Sequence, residues 1–102
     1  MNQREIITKG LSSEKIKQQF ISSGISHLSL FGSYARNEAT KESDLDLLYE
    51  LDGTFSTTLG TLQYLEDILV KKFKVKKVDF VSKRKINPYL KSYIEQDLIN
   101  IF

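Results

Sequence analysis

The chain of 102 residues contains no cysteine, which excludes disulfides and thiolate metal sites alike. Its single histidine, His27, has no neighbour placed to orient its ring and reads as a surface residue at the start of a strand. Its single proline, Pro88, directly follows Asn87, a pairing that marks a helix start. No apolar run approaches membrane-spanning length, and the Met1-Asn2-Gln3-Arg4 start lacks the apolar core of a signal peptide. No membrane association is expected, and the expected compartment is the cytoplasm. Repeats, linkers and low-complexity segments are absent as well. A net charge of +2 is too small to indicate nucleic acid, and direct nucleic-acid binding is not expected.

What the chain does contain is an ordinary globular balance, 40% hydrophobic and 27% charged, on a length that suits one domain spanning 1–102. Its centre is Phe31 to Leu51, FGSYARNEATKESDLDLLYEL. Leu45, Leu47, Tyr49 and Leu51 alternate with Asp44, Asp46, Leu48 and Glu50, a period-2 strand. That spacing puts the Asp44 and Asp46 Cα atoms on one face, about 7 Å apart. Two carboxylates so placed repel each other, and a hard divalent cation with oxygen ligands, Mg²⁺ above all, compensates them. Gly32 permits close backbone approach, and Ser33 offers a hydroxyl and an N–H at a short helical turn where anions bind. Arg36 carries a fork of donors suited to phosphate, or else to an exposed ion pair with Glu38 or Glu42.

Around this centre the periodicity predicts further elements. Residues 1–10 give little signal, with a break at Lys9-Gly10. Ser12 or Ser13 caps a helix to about Ser22, with Leu11, Ile16, Phe20 and Ile21 near one face. Gly24 ends it, and His27–Phe31 forms a strand. Asp52-Gly53-Thr54 is a turn. A helix from about Thr57 to Phe73 carries the stripe Leu59, Leu62, Leu65, Leu69 and Phe73, with Glu66 and Asp67 solvated. Val75–Val81 is a third strand in which Asp79 sits between Val78 and Phe80. An acid there needs a partner, either a lysine or a shared site. From Asn87-Pro88 the last helix is predicted to run to the C-terminus, with Leu90, Ile94, Leu98 and Ile101 on one face. Tyr89, Tyr93 and Phe102 widen its apolar surface into an aromatic fringe or a docking surface.

Gly32-Ser33, ten residues, then Asp44-Leu45-Asp46 resembles the signature of the DNA polymerase β-like nucleotidyltransferase superfamily. The fuller FGSYAR and SDLDLL are similar to minimal nucleotidyltransferase (MNT) domains, many of them MntA-type antitoxins of HEPN-domain toxins. The resemblance covers most of the chain. It departs at Asn37, where the pattern usually has Gly; Asn readily takes positive φ, so the turn is expected to survive. The resemblance implies an α/β (α+β) nucleotidyltransferase fold, a small mixed β-sheet with helices mainly on one face and the aspartate face open.

It also implies Asp79 as a third carboxylate. Asp44, Asp46 and Asp79 would hold two Mg²⁺ ions, and Gly32, Ser33 and Arg36 would hold the phosphates of ATP. No acceptor-binding domain is visible within this length, so the acceptor belongs to another chain. The implied function is AMP transfer from ATP to a hydroxyl, a tyrosine by the resemblance, on a HEPN-type toxin. Two rivals stay open: an idle binding module that occludes a partner ribonuclease, and a small-molecule nucleotidyltransferase subunit, in a homodimer or hetero-oligomer. The basic runs Lys71–Lys77 and Lys83–Lys85 read either as solvated edge charges or as attraction for triphosphate, RNA or an acidic partner.

Overall fold

The computed structural model describes residues 1–53 and 57–102; the Thr54 end of the predicted turn lies outside them. In order, the elements are α1 (Gln3–Leu11), α2 (Glu14–Ser22), β1 (Ile25–Phe31), β2 (Leu45–Leu51), α3 (Leu59–Phe73), β3 (Val78–Ser82), a 3₁₀ turn (Lys83–Lys85), α4 (Pro88–Glu95) and β4 (Ile99–Asn100). The strands form one mixed sheet in the order β3-β2-β1-β4. β1 runs antiparallel to both β2 and β4, and β3 runs parallel to β2. The expected mixed α/β fold is therefore present.

The core follows the alternation of β2. Leu45 and Leu47 are fully buried on one side of the sheet with Leu28 and Leu30 of β1. Ile7 and Leu11 of α1, Ile16 and Phe20 of α2, and Leu65 and Leu69 of α3 close over them. Each such Leu contributes about 1.5–3 kcal/mol through removal of apolar surface from water. Three helices thus share one face, as the amphipathic stripes require.

The opposite face is only partly open, which corrects the expectation of a bare groove. Ile94 of α4 packs there on Phe31 and Leu48, flanked by Val81 and Ile86. Leu48 is thus a second apolar anchor on the aspartate parity, whose burial alternation alone does not require.

Both termini differ from the periodicity reading. Residues 3–11 are helical, because Asn2 caps the segment by accepting from the Glu5 N–H at 2.9 Å. An Asn followed three residues later by Glu is a capping signal that the sequence does carry. Gly10 is no break. It lies inside α1 where the Phe73 ring occupies the space a Cβ would need.

At the other end, α4 stops at Glu95 and does not reach the C-terminus. The chain then turns so that Ile99 and Asn100 pair with Leu30 and Ser29. Ile101 N–H donates to Leu28 O at 2.8 Å, and Leu28 N–H to Phe102 O at 3.1 Å. Satisfying the otherwise bare edge of β1 outweighs continuing the helix through residues 96–102. Leu98 and Ile101 consequently leave the predicted helical face, and Phe102 packs its edge on Phe20.

Candidate active site

Phe31 ends β1 opposite Asp46 in the antiparallel register. The chain leaves β1 through Gly32, whose φ of +79° lies in the left-handed region. A Cβ at Gly32 would overlap the Asp46 carboxylate. The glycine is required twice over, by conformation and by contact. The close backbone approach expected of Gly32 is therefore an approach to Asp46 itself.

After Gly32 the chain makes a single helical turn, with Arg36 N–H donating to Gly32 O at 3.1 Å and Glu38 N–H to Ser33 O at 2.8 Å. Among the described residues, the N–H groups of Ser33, Tyr34 and Ala35 have no protein acceptor. Asn37 closes the turn at φ +65°, the positive value expected of it. Its Oδ1 accepts from Arg4 N–H at 3.1 Å and fastens the turn to α1.

β2 brings Asp44 and Asp46 to the edge of the same site, and β3 brings Asp79. The parallel pairing places Asp79 directly beside Asp46, at the ordinary strand spacing of about 4.8 Å. Adjacent strands in register point paired residues to the same face, so the two carboxylates share one face of the sheet. Glu66 keeps β3 at this level. Its Oε2 accepts the Val78 N–H at 2.7 Å, so Glu66 is a strand anchor and not the solvated residue its helix position suggested. Asp67 stays exposed and accepts from Gln63.

The electrostatics follow from this crowding. Burial of Asp46, and then the charges of Asp79 and Asp44, push its pKa up to about 6, against a smaller opposing pull from Arg36. A half-buried carboxylate with two like neighbours ionises reluctantly unless a cation joins it.

The donor set suits a hard divalent cation, all carboxylate oxygen and mutually repelling. Yet among the described residues no three acidic or imidazole groups converge tightly enough to make a closed cage. Mg²⁺ ordinarily takes one or two carboxylates and completes its shell from substrate phosphates. An open carboxylate pair is the arrangement that such binding requires.

Arg36 bonds Glu38 at 3.1 Å, one of the ion pairs foreseen for it, and also Asp97 at 2.7 Å. The second pair was invisible in the sequence, because Asp97 was placed within a continuing helix. It ties the Gly32–Asn37 turn to the end of α4. His27 is exposed. A groove of about 430 Å³, lined by Glu50, Lys83, Arg84 and Lys85 among others, opens at the far end of β2. It lacks the carboxylate pair that the Asp46–Asp79 end of the sheet carries.

Comparison with known proteins agrees with this geometry. The nucleotidyltransferase domain family model matches residues 13–101. A Methanocaldococcus jannaschii protein named "Putative protein adenylyltransferase MJ1379" is 45% identical over 82 residues, which cover 76% of this chain and 77% of that protein. A solved structure described as a "putative minimal nucleotidyltransferase" superposes with a TM-score of 0.71 at 29% identity, over 97% of this chain and 95% of that one. A complex of a tri-AMPylated Shewanella oneidensis HEPN toxin with an MNT antitoxin matches with a TM-score of 0.62 at 18% identity, over 92% and 71% of the chains. The motif, the sheet order and these matches agree that the chain belongs to the nucleotidyltransferase domain family and is a nucleotidyltransferase of the minimal type.

Proposed function

We propose that this chain transfers AMP from ATP to a hydroxyl on a partner protein, and that Asp44, Asp46 and Asp79 carry the reaction. The observation that supports it most is the in-register pairing of Asp46 with Asp79 beside the Gly32 turn. Gly32 and Ser33 receive the β- and γ-phosphates, and the N–H groups of the turn supply donors for them. Arg36 holds that turn in place through Asp97 and Glu38. Two Mg²⁺ ions held by the three aspartates would neutralise the phosphates and orient the attack in line.

The acceptor oxygen forms a bond to the α-phosphorus as the bond to the bridging β-phosphate oxygen breaks. Pyrophosphate leaves, and the hydroxyl proton passes to Asp79, the carboxylate on the strand nearest open solvent. Relatives named as protein adenylyltransferases support a protein acceptor. The AMPylated HEPN toxin in the matched complex supports an antitoxin role, and tyrosine is the acceptor side chain that the sequence resemblance implies.

The test is an intact-mass spectrum of a co-encoded HEPN-type protein after incubation with this chain, ATP and Mg²⁺. A gain of one or more AMP groups is expected, and none with the Asp44→Asn, Asp46→Asn double variant. Equal modification by the double variant contradicts the assignment.

A second reading draws on α4, where Tyr89 is 90%, Leu90 53% and Tyr93 57% exposed. Such a patch suits a chain that neutralises its partner by occlusion. Under that reading Asp79→Ala keeps neutralisation, and Tyr93→Ala loses it.

A further inference from the structure

β3 is an edge strand, with β2 on one side and no strand on the other among the described residues. Which of its backbone groups face that open side follows from one hydrogen bond. Leu45 N–H donates to Lys77 O at 2.9 Å, so residue 77 turns its backbone groups toward β2. In a parallel ladder this alternates, so Asp79 and Val81 also face β2, whereas Val78, Phe80 and Ser82 face outward. The Val78 N–H bears this out, because it is taken by Glu66 of α3 and not by β2. The N–H and C=O of Phe80 and the N–H of Ser82 are then offered at the edge.

Charge frames this edge. Exposed Lys77 precedes the strand, and exposed Arg84 and Lys85 follow it. Lys76 and Lys83, at the same two ends, are each engaged by a carboxylate, Glu42 at 2.9 Å and Glu50 at 3.4 Å. Both ends of the edge therefore already attract acidic side chains, while its middle carries Asp79. An extended segment with acidic residues at its ends and none at its centre is complementary to that pattern.

We propose that the open edge of β3 accepts an extended, acid-flanked segment of the acceptor protein as a fifth strand, with its central side chain delivered beside Asp79. Side chains on paired strands share a face, so a hydroxyl residue opposite Asp79 projects onto the catalytic side about 5 Å away. The delivery half rests on the transferase reading above; the docking half stands without it. Edge lysines also serve to block association. The two roles diverge in what they predict for charge reversal.

Ser82→Pro is the discriminating variant. Ser82 has φ −80° and no capping hydrogen bond from its side chain, so proline fits its backbone. The substitution removes an outward N–H and none of the bonds to β2. The probe is an array of random octapeptides, read against the wild-type chain, Ser82→Pro, and a Lys77→Glu, Arg84→Glu double variant, each with its melting temperature.

Acid-flanked peptides should be selected by the wild type. Binding should fall about tenfold or more in Ser82→Pro at unchanged melting temperature, and the charge reversal should switch the selection to basic flanks. The proposal is overturned if no peptide is selected, if acidic flanks are not enriched, or if Ser82→Pro binds equally well. Reversed charges that leave the selection unaltered also overturn it. Asp46→Asn should bind the same peptides undiminished. If the wild-type chain shows this selection pattern yet transfers no AMP from ATP and Mg²⁺ to a selected peptide with a central hydroxyl, the transferase reading fails and the docking edge survives.

Discussion

On the helix side of the sheet, β2 presents Leu45, Leu47 and Tyr49 to a closed apolar layer; on the other side, the same strand presents Asp46, Leu48 and Glu50. The first face is built for stability and the second is divided. Its middle is covered by Ile94 over Leu48 and Phe31, and its N-terminal end holds three carboxylates. The contrast shows where the fold tolerates unfavourable electrostatics. Asp46 is crowded by Asp44 and Asp79 only because the opposite face, with Leu45 and Leu47 fully buried, holds both strands in register. The candidate site is a local cost carried by a well-packed reverse side.

Substitutions on the two faces should therefore have opposite signatures. Leu47→Ala, on the closed face, should lower stability by about 2–5 kcal/mol, measured by urea denaturation. Any residual transfer activity should track the folded fraction.

Gly32→Ala sits between the faces. It combines a left-handed φ with a Cβ driven into Asp46, and should cost about 1–3 kcal/mol while abolishing transfer even where the protein is folded. Activity that persists in folded Gly32→Ala would detach the turn from the site.

Glu66→Ala removes the acceptor for the Val78 N–H and should cost about 1–3 kcal/mol. Hydrogen exchange at Val78 should quicken more than at Leu69, which checks that the effect is local to β3.

The smallest effect is a pH signature. Asp46 has a pKa raised to about 6, from about 3.9 in an unfolded chain. The folded state thus holds its proton more tightly. The corresponding stabilisation is present below about pH 4 and is lost as pH rises through 6. Without divalent cations, Asp46→Asn should melt above the wild type by a few degrees at pH 7, and this advantage should vanish by pH 4. If Asp46 holds Mg²⁺ as proposed, adding the ion should reverse the order at pH 7, because only the wild-type carboxylate would bind it.

The sequence was most legible where a single periodicity carried the burial. The alternation of β2, the stripe of α3 from Leu62 to Phe73 and the caps at Asn87-Pro88 and Gly24 all appear in the structure close to where they were read, whereas Leu59, the first residue of the expected stripe, is 87% exposed at the helix start. The gathering of the Gly-Ser turn with the three aspartates was legible too, because the candidate site is assembled from strand starts and from a turn with strict backbone demands.

What stayed hidden depends on contacts between distant residues. Ile99–Asn100 continues a helical pattern and becomes a strand only because β1 needs an edge partner. Arg36–Asp97 joins residues 61 positions apart, and Glu66 looks like any solvated helix residue until β3 is laid beside it. Leu48 shares the aspartate parity and is buried only because α4 folds back over it. None of these has a local signature. The cap of α1 did have one, in Asn2 and Glu5, and it was outweighed by the thin apolar pattern of residues 1–10.

The central claim is that Asp46 and Asp79 act as one site. Its most direct test is a double-mutant cycle on kcat/KM for AMP transfer, with Asp46→Asn, Asp79→Asn and both together. The account predicts that each single variant loses about a hundredfold or more and that the double variant loses little beyond that, as groups acting as a unit do. Losses that simply multiply, or an Asp79→Asn protein as fast as the wild type, would contradict it.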